Sequence, residues 1–258
     1  MNGDDQLKKK IEDWLVSQGY PLEMRVAAEW RNGGFGVTQA HYYSDPENAT
    51  LREIDIVASC EDWTGCINIE FVTECKVSKK NLWLLFSSKH MLEGFNRLFG
   101  YCINSESART KLIKKGIDPI MGLPWMKKMG RTAYGMTQAF TTGEDVTFEA
   151  STSVLKAAIA RKKVFDSQDW KPFVFVFPAI VVDGLVFNCF LDDAGQLSIE
   201  PVEDAFFFFP WNVSGEVGTC IRVLSLESLP RYVAEAKLVA ERITKLLEKD
   251  IEEKLKTI

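Results

Sequence analysis

The ten residues from Phe173 to Val182, FVFVFPAIVV, contain no polar side chain. A membrane-crossing helix takes about 20 apolar residues, so this run is too short for one. It reads instead as a strand buried on both faces. Such a strand needs apolar cover, and two amphipathic segments can supply it. Ser151–Phe165 reads as a helix with Val154, Leu155, Ala158 and Ile159 on one side. Ser228–Leu255 reads as one long helix whose stripe includes Leu229, Val233, Ala236, Val239, Ala240 and Ile243. That stripe packs on the body of the chain or pairs with a second copy as a homodimer. Asp183-Gly184 is a tight-turn signal, so Leu185–Leu191 is expected to return as a hairpin partner of the buried strand. Phe206–Phe209 reads as a buried strand or loop wall.

The N-terminal part carries two helix signals, Leu7–Gln18 and Pro21–Asn32, the second starting on a proline and ending at Gly33-Gly34. Three strand signals follow: Gly36–Tyr43, Arg52–Ser59 and Cys66–Val77. The turn chemistry between them, Ser44–Asn48 and Glu61–Gly65, predicts an antiparallel meander.

With 258 residues, 46% of them hydrophobic and including 17 Phe and 7 Trp, the chain can bury a large core as a single domain. The core is expected over about 21–191, with a basic insertion at about 81–150 and a C-terminal elaboration at about 192–258. No apolar stretch follows the charged N-terminus, so no secretory signal is visible and a cytoplasmic protein without membrane spans is expected. The six cysteines form no CxxC pair and there are two histidines, which argues for reduced thiols rather than a zinc site. Net charge is −5, yet Lys76–Lys163 holds 16 Lys+Arg against 6 Asp+Glu, leaving −15 for the remainder. Such asymmetry points to a basic face for an anionic partner. A merely solvated surface is the alternative.

The chemistry-bearing residues sit inside the strand signals. Asp55 lies between Ile54 and Ile56, and Glu74-Cys75-Lys76 closes the segment that begins at Cys66. Side chains alternate along a strand, so Glu74 and Lys76 share a face. If the two strands pair across their turn, Asp55 comes beside Glu74. Converging carboxylates repel unless a cation lies between them, and their hard oxygens suit Mg²⁺ or Mn²⁺. The carbonyl of Cys75 is a further oxygen ligand within reach. Lys76 would stand beside the water, to orient it, help deprotonate it or stabilise charge on a phosphate. Surface roles for these acids are the alternative.

Asp55, then Glu74-x-Lys76 on the next strand, after a helix and within REIDIVA and ECK, resembles the PD-(D/E)XK nuclease superfamily, in its archaeal-resolvase and type IV restriction-like branch. The resemblance implies a restriction-endonuclease-like α/β core of helix, three meandering strands, helix and fourth strand. This central mixed sheet would be flanked by helices, with the long C-terminal helix added. It implies a Mg²⁺- or Mn²⁺-dependent nuclease acting on nucleic acid, with DNA the expected substrate. In it, Asp55, Glu74 and Lys76 are catalytic, and Asp55, Glu74, Cys75 and Glu23 serve the metal. Glu23 stands 11 residues before Gly34, where the branch places a glutamate; capping or surface roles are its alternatives. The segment between Lys76 and Ser151 exceeds what a minimal core requires. Its Lys111, Lys114, Lys115, Lys127, Lys128 and Arg131, joined by Trp125 and Tyr134, are candidates for phosphate and base contacts. A nucleic-acid-binding or assembly protein that keeps such a fold without turnover is the second reading.

Overall fold

The computed structural model describes residues 3–89, 100–115, 130–141, 143, 145–210 and 219–256. Lys127, Lys128 and Trp125 lie outside these. Two helices, α1 (Gly3–Gln18) and α2 (Tyr20–Asn32), lead into β1 (Gly36–Ser44), β2 (Leu51–Glu61) and β3 (Ile67–Ser88). The short β4 (Ile103–Asn104), α3 (Glu106–Lys115) and β5 (Thr132–Gln138) come next. Then follow α4 (Val146–Asp166), β6 (Phe173–Leu191), β7 (Leu197–Pro201), β8 (Asp204–Phe209), β9 (Thr219–Ser225) and α5 (Leu229–Leu255). The chain is therefore α/β, with a large mixed sheet. None of the described helices is long and apolar enough to cross a membrane.

The predicted meander is present. β1 pairs antiparallel with β2, and β2 antiparallel with β3. The connection through α4 then lays β6 parallel to β3, from Ile67–Phe173 to Phe86–Cys189. β9 lies on the other edge of β6, β8 pairs with β9, and β8 meets β5 at Ala133–Phe207. Since β5 also pairs with β3, the strands β3, β5, β8, β9 and β6 close into a ring. Phe206, Phe207 and Phe208 are buried in that ring's wall.

Two expectations are corrected. Asp183-Gly184 makes no hairpin: β6 runs straight through it, still paired to β3 on either side. The glycine answers to close approach rather than to a turn, because a Cβ at Gly184 would lie 2.4 Å from the Ser78 carbonyl oxygen. β3 likewise continues eleven residues beyond Val77, to Ser88. Residues assigned by sequence to an insertion and a C-terminal elaboration thus build the sheet itself.

The sheet carries cover on both sides. One core joins α2 and α5 to Ile56, Phe71, Phe175 and Phe177. The other joins α4 to Val72, Trp83, Val176 and Ile180. The α5 stripe, including Tyr232, Val233, Ala236, Val239 and Ile243, is buried in the first core. Cis packing consumes the surface that a homodimer through this helix would have used.

Candidate active site

β2 and β3 pair as far as Ile56–Thr73, and one step further Asp55 stands opposite Glu74. There the regular ladder ends. The backbone N–H of Cys75 donates to Asp55 Oδ2 at 2.7 Å, so a side chain takes the place of a strand carbonyl. The distortion extends into β1. Ala40, between the pairs Gln39–Ile56 and His41–Ile54, has φ 49°, a conformation L-residues seldom adopt. Ile56 belongs to the α2/α5 core and Ile54 to the α4 core, although residues two apart on a regular strand share a face. β2 therefore rotates at Asp55.

Glu74 and Lys76 do share a face, that of α4. Lys76 Nζ lies 2.8 Å from Glu74 Oε1. Ser153 Oγ, from α4, donates to Glu74 Oε2 at 3.2 Å. The buried Tyr43 hydroxyl donates to the Ser153 carbonyl at 3.2 Å, tying α4 to β1 at this point.

The electrostatics report crowding of negative charge. Burial raises the carboxyls of Asp55 and Glu74 above their usual range; the charge of Asp55 raises Glu74 further, against the pull of Lys76. Glu23, at the start of α2, is raised to about 7, first by burial and then by Asp55 and Glu53. Burial by itself would lower Lys76, but Glu74 and Asp55 outweigh it and hold the ammonium above its ordinary value. Burial and the neighbouring carboxylates push the Cys75 thiol well up, and its side chain packs against the α2/α5 core, away from Glu74 and Lys76, which leaves the carbonyl as its ligand atom.

Asp55, Glu74, Lys76 and Cys75 thus come together, and Glu23 is near enough to feel the charge of Asp55. Four carboxylates, counting Glu53, gather around Lys76, while Arg52 and Lys156, which line the cavity beside Glu74, are engaged by Asp45 and, for Lys156, Glu47. Among the described residues no group of three His, Cys, Asp or Glu side chains is already gathered around one point. The donor set still fits a hard divalent cation: two carboxylates that sense each other's charge, and a carbonyl between Glu74 and Lys76.

Sequence reasoning missed Glu53, Glu149, Ser153 and Tyr43. Glu53 was open to detection by its place in the sequence, two residues from Asp55. The charge of Glu149 acts on Lys76 across the gap to α4. Glu149 and Ser153 carry no local signal, since only the crossover of α4 brings them to β3.

The predicted phosphate-binding lysines fare differently. Lys111 Nζ and Lys115 Nζ lie 2.7 and 2.9 Å from the Asp250 carboxylate on α5. Lys114 is exposed. α3 packs beside Phe173, the β6 residue that pairs with Ile67, whereas Glu74 pairs with Ile180. Seven strand residues separate the two, about 23 Å at ~3.3 Å each. Arg131 stacks over Phe190, 3.6 Å from its ring centre, and Tyr134 lines the same cavity. On α4, Lys156 is bound by Asp45 and Glu47, and Arg161 by Glu70. Much of the positive charge counted along the chain is neutralised internally.

Comparison with family models, with curated proteins and with solved structures finds no match to any of them.

Proposed function

We propose that this chain is a divalent-metal-dependent nuclease with a restriction-endonuclease-like core, hydrolysing phosphodiester bonds of nucleic acid, DNA in the first instance. The observation that carries the reading is the meeting of Asp55, Glu74 and Lys76 at the point where β2 and β3 part. The succession α2, β1–β2–β3, α4, β6, with β4, α3 and β5 inserted between β3 and α4, supports it as well, being the order of core elements that the resemblance implies.

Asp55 and Glu74, with the Cys75 carbonyl and Glu23, are the residues that would hold Mg²⁺ or Mn²⁺. The chemistry such an ion supplies when bound is polarisation of a phosphoryl oxygen and acidification of water. The chain's own groups do the rest. The Cys75 N–H fixes the Asp55 carboxylate. Ser153 and Lys76 hold the two Glu74 oxygens in a set orientation. Lys76, protonated at neutral pH, acts as a cation and hydrogen-bond donor, placed to orient the attacking water and to stabilise charge gathering on the phosphate.

The test is cleavage of single- and double-stranded DNA and RNA with Mg²⁺ or Mn²⁺. Wild type is expected to cut at least one of these, and Asp55→Ala or Glu74→Ala to lose about a thousandfold or more in rate. Lys76→Ala is expected to lose about a hundredfold while keeping most of its metal affinity. A second readout needs no turnover: Mn²⁺ at about 100 times its Kd raises stability by about 2.7 kcal/mol through mass action, and both carboxylate variants should lose that gain. A wild type that leaves every substrate uncut overturns the reading. Nucleic-acid binding that ignores chelator, without cleavage, selects the non-cleaving alternative.

A further inference from the structure

Two clusters of cations differ in what balances them. On α3, Lys111 and Lys115 face Asp250 and Glu253, so two cations meet two carboxylates. Beside the candidate site, β3 bulges. Ser78 pairs with Gly184 and Trp83 with Val186, so residues 79–82 of β3 stand against Leu185 alone. The bulge is braced. Ser78 Oγ donates to the Asn81 carbonyl at 2.9 Å, Gln138 Nε2 donates to Ser78 Oγ at 2.6 Å, and Gly184 admits the backbone of Ser78. Bulges of this kind re-aim side chains next to functional sites.

This bulge leaves Lys79 and Lys80 exposed to solvent, and Arg25 of α2 meets Lys79 at Asp183. Their counter-charge is Asp183, 3.1 Å from Arg25 and 3.6 Å from Lys79. Lys80 has no ion pair among the described residues. Three cations against one carboxylate leave a surplus of two positive charges. The Arg25 and Lys79 side chains are 55% and 66% exposed. Exposed pairs of this kind are worth about 0–1 kcal/mol, so phosphate oxygens can displace Asp183 from them. Lys79 lies three residues beyond Lys76, about 10 Å along the strand, and faces α2, the helix from which Glu23 senses the charges of Asp55 and Lys76.

We propose that the Lys79–Lys80 bulge and Arg25 form the surface on which the phosphodiester backbone of a DNA strand rests while one of its bonds is presented to Asp55, Glu74 and Lys76. The inference rests on the nuclease reading and names where that site holds its substrate.

The experiment is fluorescence anisotropy of the full chain with a labelled DNA duplex, in chelator, across a salt series. The double variant Lys79→Gln/Lys80→Gln is compared with Lys245→Gln/Lys249→Gln, which removes the same charge from exposed positions on α5. The bulge variant is expected to bind about tenfold more weakly at low salt. Its slope of log K against log salt should be smaller by about two units, one for each lost phosphate contact. The control pair should stay within about twofold of wild type. Equal losses in both variants, or a bulge variant that binds like wild type, overturn the proposal. If wild type cuts DNA, Asp55→Ala does not, and the bulge variant both cuts and binds normally, then the substrate surface is wrong and the nuclease reading stands. If wild type neither binds nor cuts, both fall.

Discussion

The two faces of the sheet solve different problems. The face under α2 and α5 is held mainly by aromatic packing: Phe71 stacks on Phe177 at 5.0 Å, and Trp30 lies 5.0 Å from Phe71 and 5.8 Å from Tyr232. Its buried ion pair, Arg222 with Asp204, lies against the rings of Phe206 and Tyr232 and away from the candidate site. The face under α4 buries charge within its apolar core: Glu70 with Arg161, Glu74 with Lys76, and Lys156 with Asp45. Apolar packing is non-directional and stabilises in proportion to area. Buried charges stabilise little on balance, because desolvation offsets their attraction. A face that carries several of them is organised around something other than stability, and the candidate active site lies on that face.

Substitutions can break or sharpen this contrast. The largest effect expected is the asymmetry between Glu74→Ala and Trp30→Ala. The first should cost about a thousandfold or more in cleavage with a melting temperature near that of wild type. Trp30→Ala, by contrast, should cost about 3–5 kcal/mol of stability yet leave kcat of the folded fraction unchanged. Denaturant melts and single-turnover rates on the same preparations separate the two. If Trp30→Ala loses kcat in the folded state as Glu74→Ala does, the division of labour is not real.

Next in size is Arg161→Met. It strands the carboxylate of Glu70, whose side chain is fully buried, and should destabilise by about 3 kcal/mol. The paired change Glu70→Leu/Arg161→Met should recover most of that loss. Failure of the double variant to recover would mean that Arg161 acts through contacts other than this ion pair.

The smallest effect concerns pH. Glu23 is raised from 4.5 to about 7, so the folded state holds its proton more tightly than the unfolded chain does. Its favourable contribution is complete below pH 4.5 and is lost as pH rises through 7. Glu23→Gln should therefore melt higher than wild type at pH 8 and level with it at pH 4, the gap being a degree or two because the carboxyl is part-exposed. Saturating Mn²⁺ at pH 8 should close the gap from the wild-type side if Glu23 faces the ion. A gap that Mn²⁺ leaves untouched would remove Glu23 from the ligand set.

The site was more legible in the sequence than the surface that serves it. Glu74 and Lys76 lie two apart on one strand, and alternation alone puts them on one face. Their charge within an apolar run marked that face as unusual. Asp55 needed one further step, the pairing of β2 with β3, which the turn residues Glu61–Gly65 already implied. The lysines of α3 offered no comparable guide. Lys111 lies 139 residues from Asp250, and nothing local in the sequence links them. Asp183-Gly184 misled for a similar reason: a glycine needed for close approach of two strands has the same local signature as one needed for a turn.

What the sequence determined by itself is what periodicity and local chemistry determine: the succession of helices and strands, the buried run of β6, the amphipathic stripe of α5, and two of the three central site residues on one face. Tertiary structure decided the rest. It closed β3, β5, β8, β9 and β6 into a ring, rotated β2 at Asp55, brought Ser153 to Glu74, and chose which cations are neutralised and which stay open to solvent. The physical reason is range. Side-chain direction is set within a few residues by the backbone, whereas the partner of a charge is whatever the fold happens to bring within a few ångströms of it.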